Sequence, residues 1–275
     1  MLEQIKYINN FGDVFEFGKE YVFANSNDLR DYAWQYDTGR NKAENFRRKV
    51  TKKKLPVVIK ASSEEQCSKI KNDMLNIFDK DVIAEKPGTL WIDDYYMQCY
   101  IVESSKSKYL DNRDYTKISL VVVSDTGTWC KDVMKSFLYS ESLYDASGHG
   151  YNYGYDYDYA IAGVNSGILD NPHFASCDFE IKISGYAYHP EILISGHRYK
   201  LNYEILEDQY VVINSKDRTI KLVRVDGTVE NLFRLRDKES NIFEKIPAGT
   251  SEVYWTGNYN FDVTLYIERG EPEWT

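Results

Sequence analysis

At 275 residues the chain is long enough for one large domain or two ordinary ones, each with a real core. Hydrophobic residues at 43% and charged residues at 28% exclude wholesale disorder, and no run of 18 apolar residues could cross a membrane as a helix. The net charge of −9 is unevenly spread: residues 1–60 carry 12 Lys/Arg and 8 Asp/Glu, net +4, and the acidic remainder argues against general nucleic-acid binding.

MLEQIKYINN has no basic head followed by an apolar run, so no secretory signal is expected. Short aromatic strands are predicted at Val14–Phe17, Tyr21–Ala24 and Ala33–Tyr36, and a strand at Leu55–Lys60 leads into a helix. Between them lies the basic run Arg47, Arg48, Lys49 and Lys52, Lys53, Lys54. It reads either as a grip on a partner's acidic surface or on passing DNA, or as a solvated edge strand whose lysines discourage aggregation.

The helix is predicted over about 62 to 80. Ser62-Ser63 stand before Glu65 and Gln66 as a capping box, and Cys67, Ile70, Met74, Ile77 and Phe78 form one apolar stripe. Pro87-Gly88 marks a turn. Tyr95–Glu103 and Tyr115–Ser124 read as long paired strands joined by a polar loop, Ser104 to Asp114. Residues 1–138 therefore read as a β-sandwich-like domain with one packed α-helix.

Residues 139–163 break this pattern. Tyr151, Tyr153, Tyr155, Tyr157 and Tyr159 alternate with Gly, Asp and Asn, which predicts a linker and candidate hinge. From 164 to 275, strands follow one another with turn signals between them. Phe179, Ile181 and Ile183 alternate, as do Tyr199, Leu201, Tyr203 and Ile205, and Phe261, Val263, Leu265 and Ile267. Tyr210–Ile213 turns at 214–217 into Thr219–Val225, and Asp226-Gly227 signals a hairpin. These are the marks of a β-sandwich.

The chemistry of sites is thin. There is no P-loop, GxGxxG, HExxH or GxSxG pattern. His149, His173, His189 and His197 lack the close partners of a zinc site, although His173 and Cys177 are four apart. Asp156 and Asp158 lack the other oxygens calcium needs. Cys67, Cys99, Cys130 and Cys177 are far apart and read as reduced thiols. The expectation is no enzyme, no cofactor and no metal.

The order of several segments resembles the distal tail protein family of siphophages, the hub of the baseplate or tail tip. The segments are Tyr21–Trp34, the helix, PGTLWIDDYYMQCYIVES, the strand ending near Trp129, YNYGYDYDYA, FEIKISG with Pro190-Glu191-Ile192, Asp226-Gly227, Asn231, IFEKIPAGTSEV and FDVTLYIERGEPEW. His189-Pro190 departs from the Asn-Pro of many relatives. The resemblance implies a mainly β protein with a ring-forming first domain and a galectin-like second sandwich. It further implies a hexameric ring between the tail tube protein and the tail-tip hub, with DNA passing through its channel. Receptor-binding proteins would attach to the second domain, and the protein would reside in the virion after assembly in the host cytoplasm. No insertion that would house an added carbohydrate-binding module is seen. A carbohydrate-binding sandwich, testable through Trp255, is the competing reading, and a cell-wall hydrolase a distant third.

Overall fold

The computed structural model describes residues 3–18, 21–106, 115–139 and 164–274. They form two compact units, Met1–Lys131 with Glu268–Thr275, and Asp132–Ile267.

The first unit is a curved antiparallel sheet folded over one helix. Strands β1 (Ile5–Ile8) and β2 (Val14–Phe17) form a hairpin, followed by β3 (Val22–Ala24) and the single turn α1 (Asn27–Arg30). Next come β4 (Gln35–Thr38), β5 (Ala43–Arg47), β6 (Thr51–Lys60), helix α2 (Glu64–Ala84), β7 (Gly88–Ile92), β8 (Tyr95–Lys106), β9 (Tyr115–Ser124) and β10 (Trp129–Phe137). The ladder runs β2-β1-β7-β8-β9-β6-β3, antiparallel throughout, while β4 and β5, among the described residues, pair only with each other. Alternate residues of these strands, among them Tyr7, Leu55, Val57, Leu90, Met97, Leu120 and Val122, form a core closed by Cys67, Met74 and Phe78 of α2.

The helix starts at Glu64, not 62, because Ser63 is its N-cap: the Ser63 hydroxyl accepts from the Gln66 N–H at 3.2 Å, and the Ser62 N–H donates to Gln66 Oε1 at 2.9 Å. It runs past 80 to Ala84, where Glu85 turns left-handed (φ +52°) and Glu85 and Lys86 donate back to the carbonyls of Val82 and Asp81. The apolar stripe ends early because Asp81 occupies a core position. Its carboxylate is fully buried and accepts from the Tyr7 hydroxyl at 2.6 Å and the Asn10 N–H at 2.9 Å, which ties the helix end to the β1–β2 turn. Gly88 passes against this knot: a β-carbon there would overlap the Asp81 carboxylate and the Tyr7 hydroxyl.

The second unit is a β-sandwich. Its strands are β11 (Val164–Asn171), β12 (Asp178–Ser184), β13 (Ala187–Tyr188), β14 (Glu191–Ile194), β15 (His197–Lys200), β16 (Glu204–Ile205), β17 (Tyr210–Asn214), β18 (Thr219–Val223), β19 (Val229–Asn231), β20 (Gly249–Thr256) and β21 (Asn260–Arg269). One sheet contains β19-β18-β17-β12-β21 and the other β11-β20-β14-β15. Phe179, Ile181, Ile213, Leu222, Val263 and Leu265 from the first face Leu169, Ile192, Ile194, Val253 and Trp255 from the second. The Asp226-Gly227 hairpin forms with Gly227 at φ +80°.

The alternation at 199–205 does not make one strand. The chain leaves β15 at Lys200, bridges at Leu201 to Arg236, bends at Tyr203 and pairs again at Glu204–Ile205, with Leu201 and Ile205 both in the core. The two units meet in sequence inside β10 and again inside β21. The chain passes between units inside β10, because Phe137 stacks on Phe261 (4.8 Å between centroids) in the second core. Gly167 makes room for that ring, since a β-carbon there would sit 2.8 Å from it. The chain returns inside β21, and residues 268–274 belong to the first core's unit. Buried Arg30 holds that returning segment, donating to the Pro272 carbonyl at 2.7 Å and stacking on the Trp274 ring.

Candidate interaction surface

The basic run is scattered by the fold. Arg47 ends β5 and pairs with Asp37 of β4 at 2.9 Å, in the open. Arg48 lies over the Trp34 ring at 4.5 Å, and burial lowers its pKa. Lys49 is exposed on the connection to β6. Side chains then alternate along β6, so Lys52 and Lys54 are exposed on one face while Lys53 points the other way.

Lys53 is therefore no surface residue, which corrects the reading of Lys52, Lys53 and Lys54 as one contact. It is 6% exposed, and its ammonium donates to the carbonyls of Leu29 at 2.6 Å and Asp31 at 2.7 Å. It thereby satisfies the orphan carbonyls at the end of α1. Burial drops its pKa to about 8 despite the nearby Asp31. The hinge tyrosines 151, 153, 155, 157 and 159, and with them Asp156, Asp158 and His149, lie outside the described residues. Trp255 is a core residue, 4% exposed, with its ring edge against Phe137 and Phe261, so it offers no face to a sugar. Among the described residues no three His, Cys, Asp or Glu gather as a ligand set, and Cys67, Cys99, Cys130 and Cys177 are all buried.

Two features of the first unit were not legible as sites. The first is the β4–β5 ribbon. Among the described residues it pairs with no other strand, and a two-stranded ribbon is marginal by itself. A register shift opposite Tyr36, with Asn45 at φ +55°, twists it. Tyr36 and Phe46 contact each other at 5.9 Å and are 57% and 59% exposed. Exposed paired aromatics are the residue types that anchor protein interfaces.

The second is a groove of 460 Å³ between α2 and the strands β8 and β9. Its floor is Met74, Phe78, Ile101, Ile118 and Leu120, and its rim holds the half-exposed Leu75 and Val102. A bulge puts Val102 there: Ile101 pairs with Val122 and Glu103 with Val121, leaving Val102 as the extra residue. The size suits a bound side-chain cluster.

No family model matches this chain. No curated protein matches it either. Solved structures do. The Dit protein of phage SPP1, described as a paradigm of the hub adsorption apparatus in phages that infect Gram-positive hosts, aligns over 98% of this chain and 100% of its own, with a TM-score of 0.60 and 8% identity. A chain of the phage P2 baseplate in its activated conformation with Ca aligns over 99% and 100%, with a TM-score of 0.62 and 14% identity. The same baseplate with Sr gives a chain aligned over 96% and 98%, with a TM-score of 0.58 and 14% identity.

The chain shares its fold with these phage hub and baseplate chains. The hub fold explains the order of elements that the sequence resemblance rested on. It includes the mainly β architecture, the one long helix and the closing strand of FDVTLYIERGEPEW. At 8 to 14% identity, side chains are free to differ, so the two surfaces described above are features of this chain's own residues.

Proposed function

We propose that the chain is a structural hub of a phage tail tip, without catalysis. In this reading six copies close a ring that joins the tail tube protein to the tail-tip hub, and DNA passes through the channel. The second unit carries receptor-binding proteins, and the site of action is the virion after assembly in the host cytoplasm. The observation that carries it is a fold match over the whole length of two different hub and baseplate chains. The unpaired β4–β5 ribbon supports it, since a heterologous contact that closes gives a ring. Exposed Lys52 and Lys54 remain candidates for a contact between rings or with the lumen's contents.

Light scattering after size exclusion, across a concentration series with negative-stain images, tests this. A particle of about 193 kDa (six times 32.1 kDa) with a central hole is the expected result. A monomer at every concentration, and no binding to the tail tube protein, would remove the reading.

A further inference from the structure

We propose that residues 268–274 are a strap that fixes the base of the β4–β5 ribbon, so that lifting the strap sets the ribbon loose. Strap and ribbon both belong to the first unit, so nothing in this device depends on a ring.

The ribbon holds itself poorly. Its ladder pairs Gln35 with Arg47, Asp37 with Glu44 and Thr38 with Ala43, and the register shift interrupts it. Its ion pairs, Arg47 with Asp37 and Lys42 with Glu44, lie in the open, where such pairs add little. An isolated hairpin of this kind is marginal, so what orders it lies at its base.

The strap reaches both legs of that base. Where the chain enters β4, Gly270 lies against Tyr32: a β-carbon at 270 would stand 3.0 Å from the root of the Tyr32 ring. Next to it, Lys53 donates to the Asp31 carbonyl. Where the chain leaves β5, burial lowers the Arg48 pKa, and Glu268 of the strap opposes that fall together with Tyr32. Arg48 also lies over Trp34, which joins the two legs. The strap thereby decides whether the exposed pair on the ribbon, Tyr36 and Phe46, is held in one place.

The strap in turn hangs on Arg30. That side chain donates to the carbonyls of Pro272 at 2.7 Å and Glu273 at 3.3 Å and stacks on the Trp274 ring, while Glu3 balances its charge. Glu273 and Trp274 are exposed, so the strap lies at the surface. A ligand that binds the lifted strap better than the docked one would shift the ribbon toward its loose state.

The test is limited trypsin digestion of the folded full chain, because Arg40, Lys42, Arg47 and Lys49 are exposed cleavage sites on and beside the ribbon. Gly270→Val pushes the strap off Tyr32 without touching Arg30. Ser63→Ala weakens α2 in the same unit and leaves the strap alone. Circular dichroism checks that each variant folds. Cleavage in the ribbon should be about tenfold faster in Gly270→Val than in the wild type, since cleavage follows the population of the open form, and Ser63→Ala should be cut like the wild type. Trp274→Ala, a milder change at the exposed end of the strap, should also speed cleavage, and it decides the matter if Gly270→Val does not fold. A ribbon cut at the wild-type rate in the deciding variant, or cut equally fast in Ser63→Ala, would overturn the strap.

Discussion

At the scale of single residues, the basic run shows that a line of like side chains is not a surface. Lys52, Lys53 and Lys54 are consecutive, yet strand alternation sends the middle one inside. Lys53→Glu should destabilise the first unit by about 3 kcal/mol or more, because it leaves the Leu29 and Asp31 carbonyls facing a buried anion. Lys52→Glu and Lys54→Glu should stay within about 0.5 kcal/mol. Urea unfolding followed by tryptophan fluorescence separates the two cases, and equal effects at all three positions would refute the burial argument. The pH dependence has a definite sign. A lysine whose folded pKa is about 8, below its unfolded value, binds fewer protons folded than unfolded between those values, so its contribution to stability rises with pH across that window. His189 is a second residue-scale case. It occupies φ +50°, a left-handed conformation that Asn and His tolerate better than most residues, so the departure from Asn-Pro is physically conservative.

At the scale of elements, α2 is the clearest example of local rules acting together. Its cap, its apolar stripe and its left-handed stop at Glu85 all agree, and only Asp81 interrupts the pattern. Ser63→Ala should cost about 1 kcal/mol, since it frees the Gln66 N–H, whereas Ser62→Ala should cost less. Thermal melts of the two variants check this, and the reverse order would move the cap to Ser62. The β4–β5 ribbon shows the opposite behaviour. Among the described residues it pairs with no other strand, and its aromatic pair is exposed.

At the scale of the whole molecule, each unit has its own core and its own buried tyrosines. Tyr7 in the first unit and Tyr199 and Tyr259 in the second all have pKa values pushed up, chiefly by burial. Their unfolded forms titrate near 10, so above that pH the folded chain retains protons that the unfolded chain has lost, and stability falls as pH rises. The slope contributed by each such tyrosine should approach about 1.4 kcal/mol per pH unit. Urea midpoints between pH 9 and 11.5, read separately for the two transitions, check this; a flat profile would contradict the burial of the three hydroxyls.

What the sequence determined was local. Periodicity of 3.6 and of 2 placed α2, Val14–Phe17, β8, β9, β12 and β21, because those patterns follow from side-chain geometry alone. The order of motifs was enough to point to a tail-hub fold, which the structure shares over nearly its full length. Only the tertiary structure decided which core each strand serves. Phe137 joins the second core through the gap at Gly167, and residues 268–274 join the first through Arg30, by contacts between residues more than 100 positions apart in the latter case. The candidate surface was illegible for the same reason. The groove exists because a bulge at Val102 meets Leu75 across two elements distant in the chain, and no pattern within a short window records such a meeting.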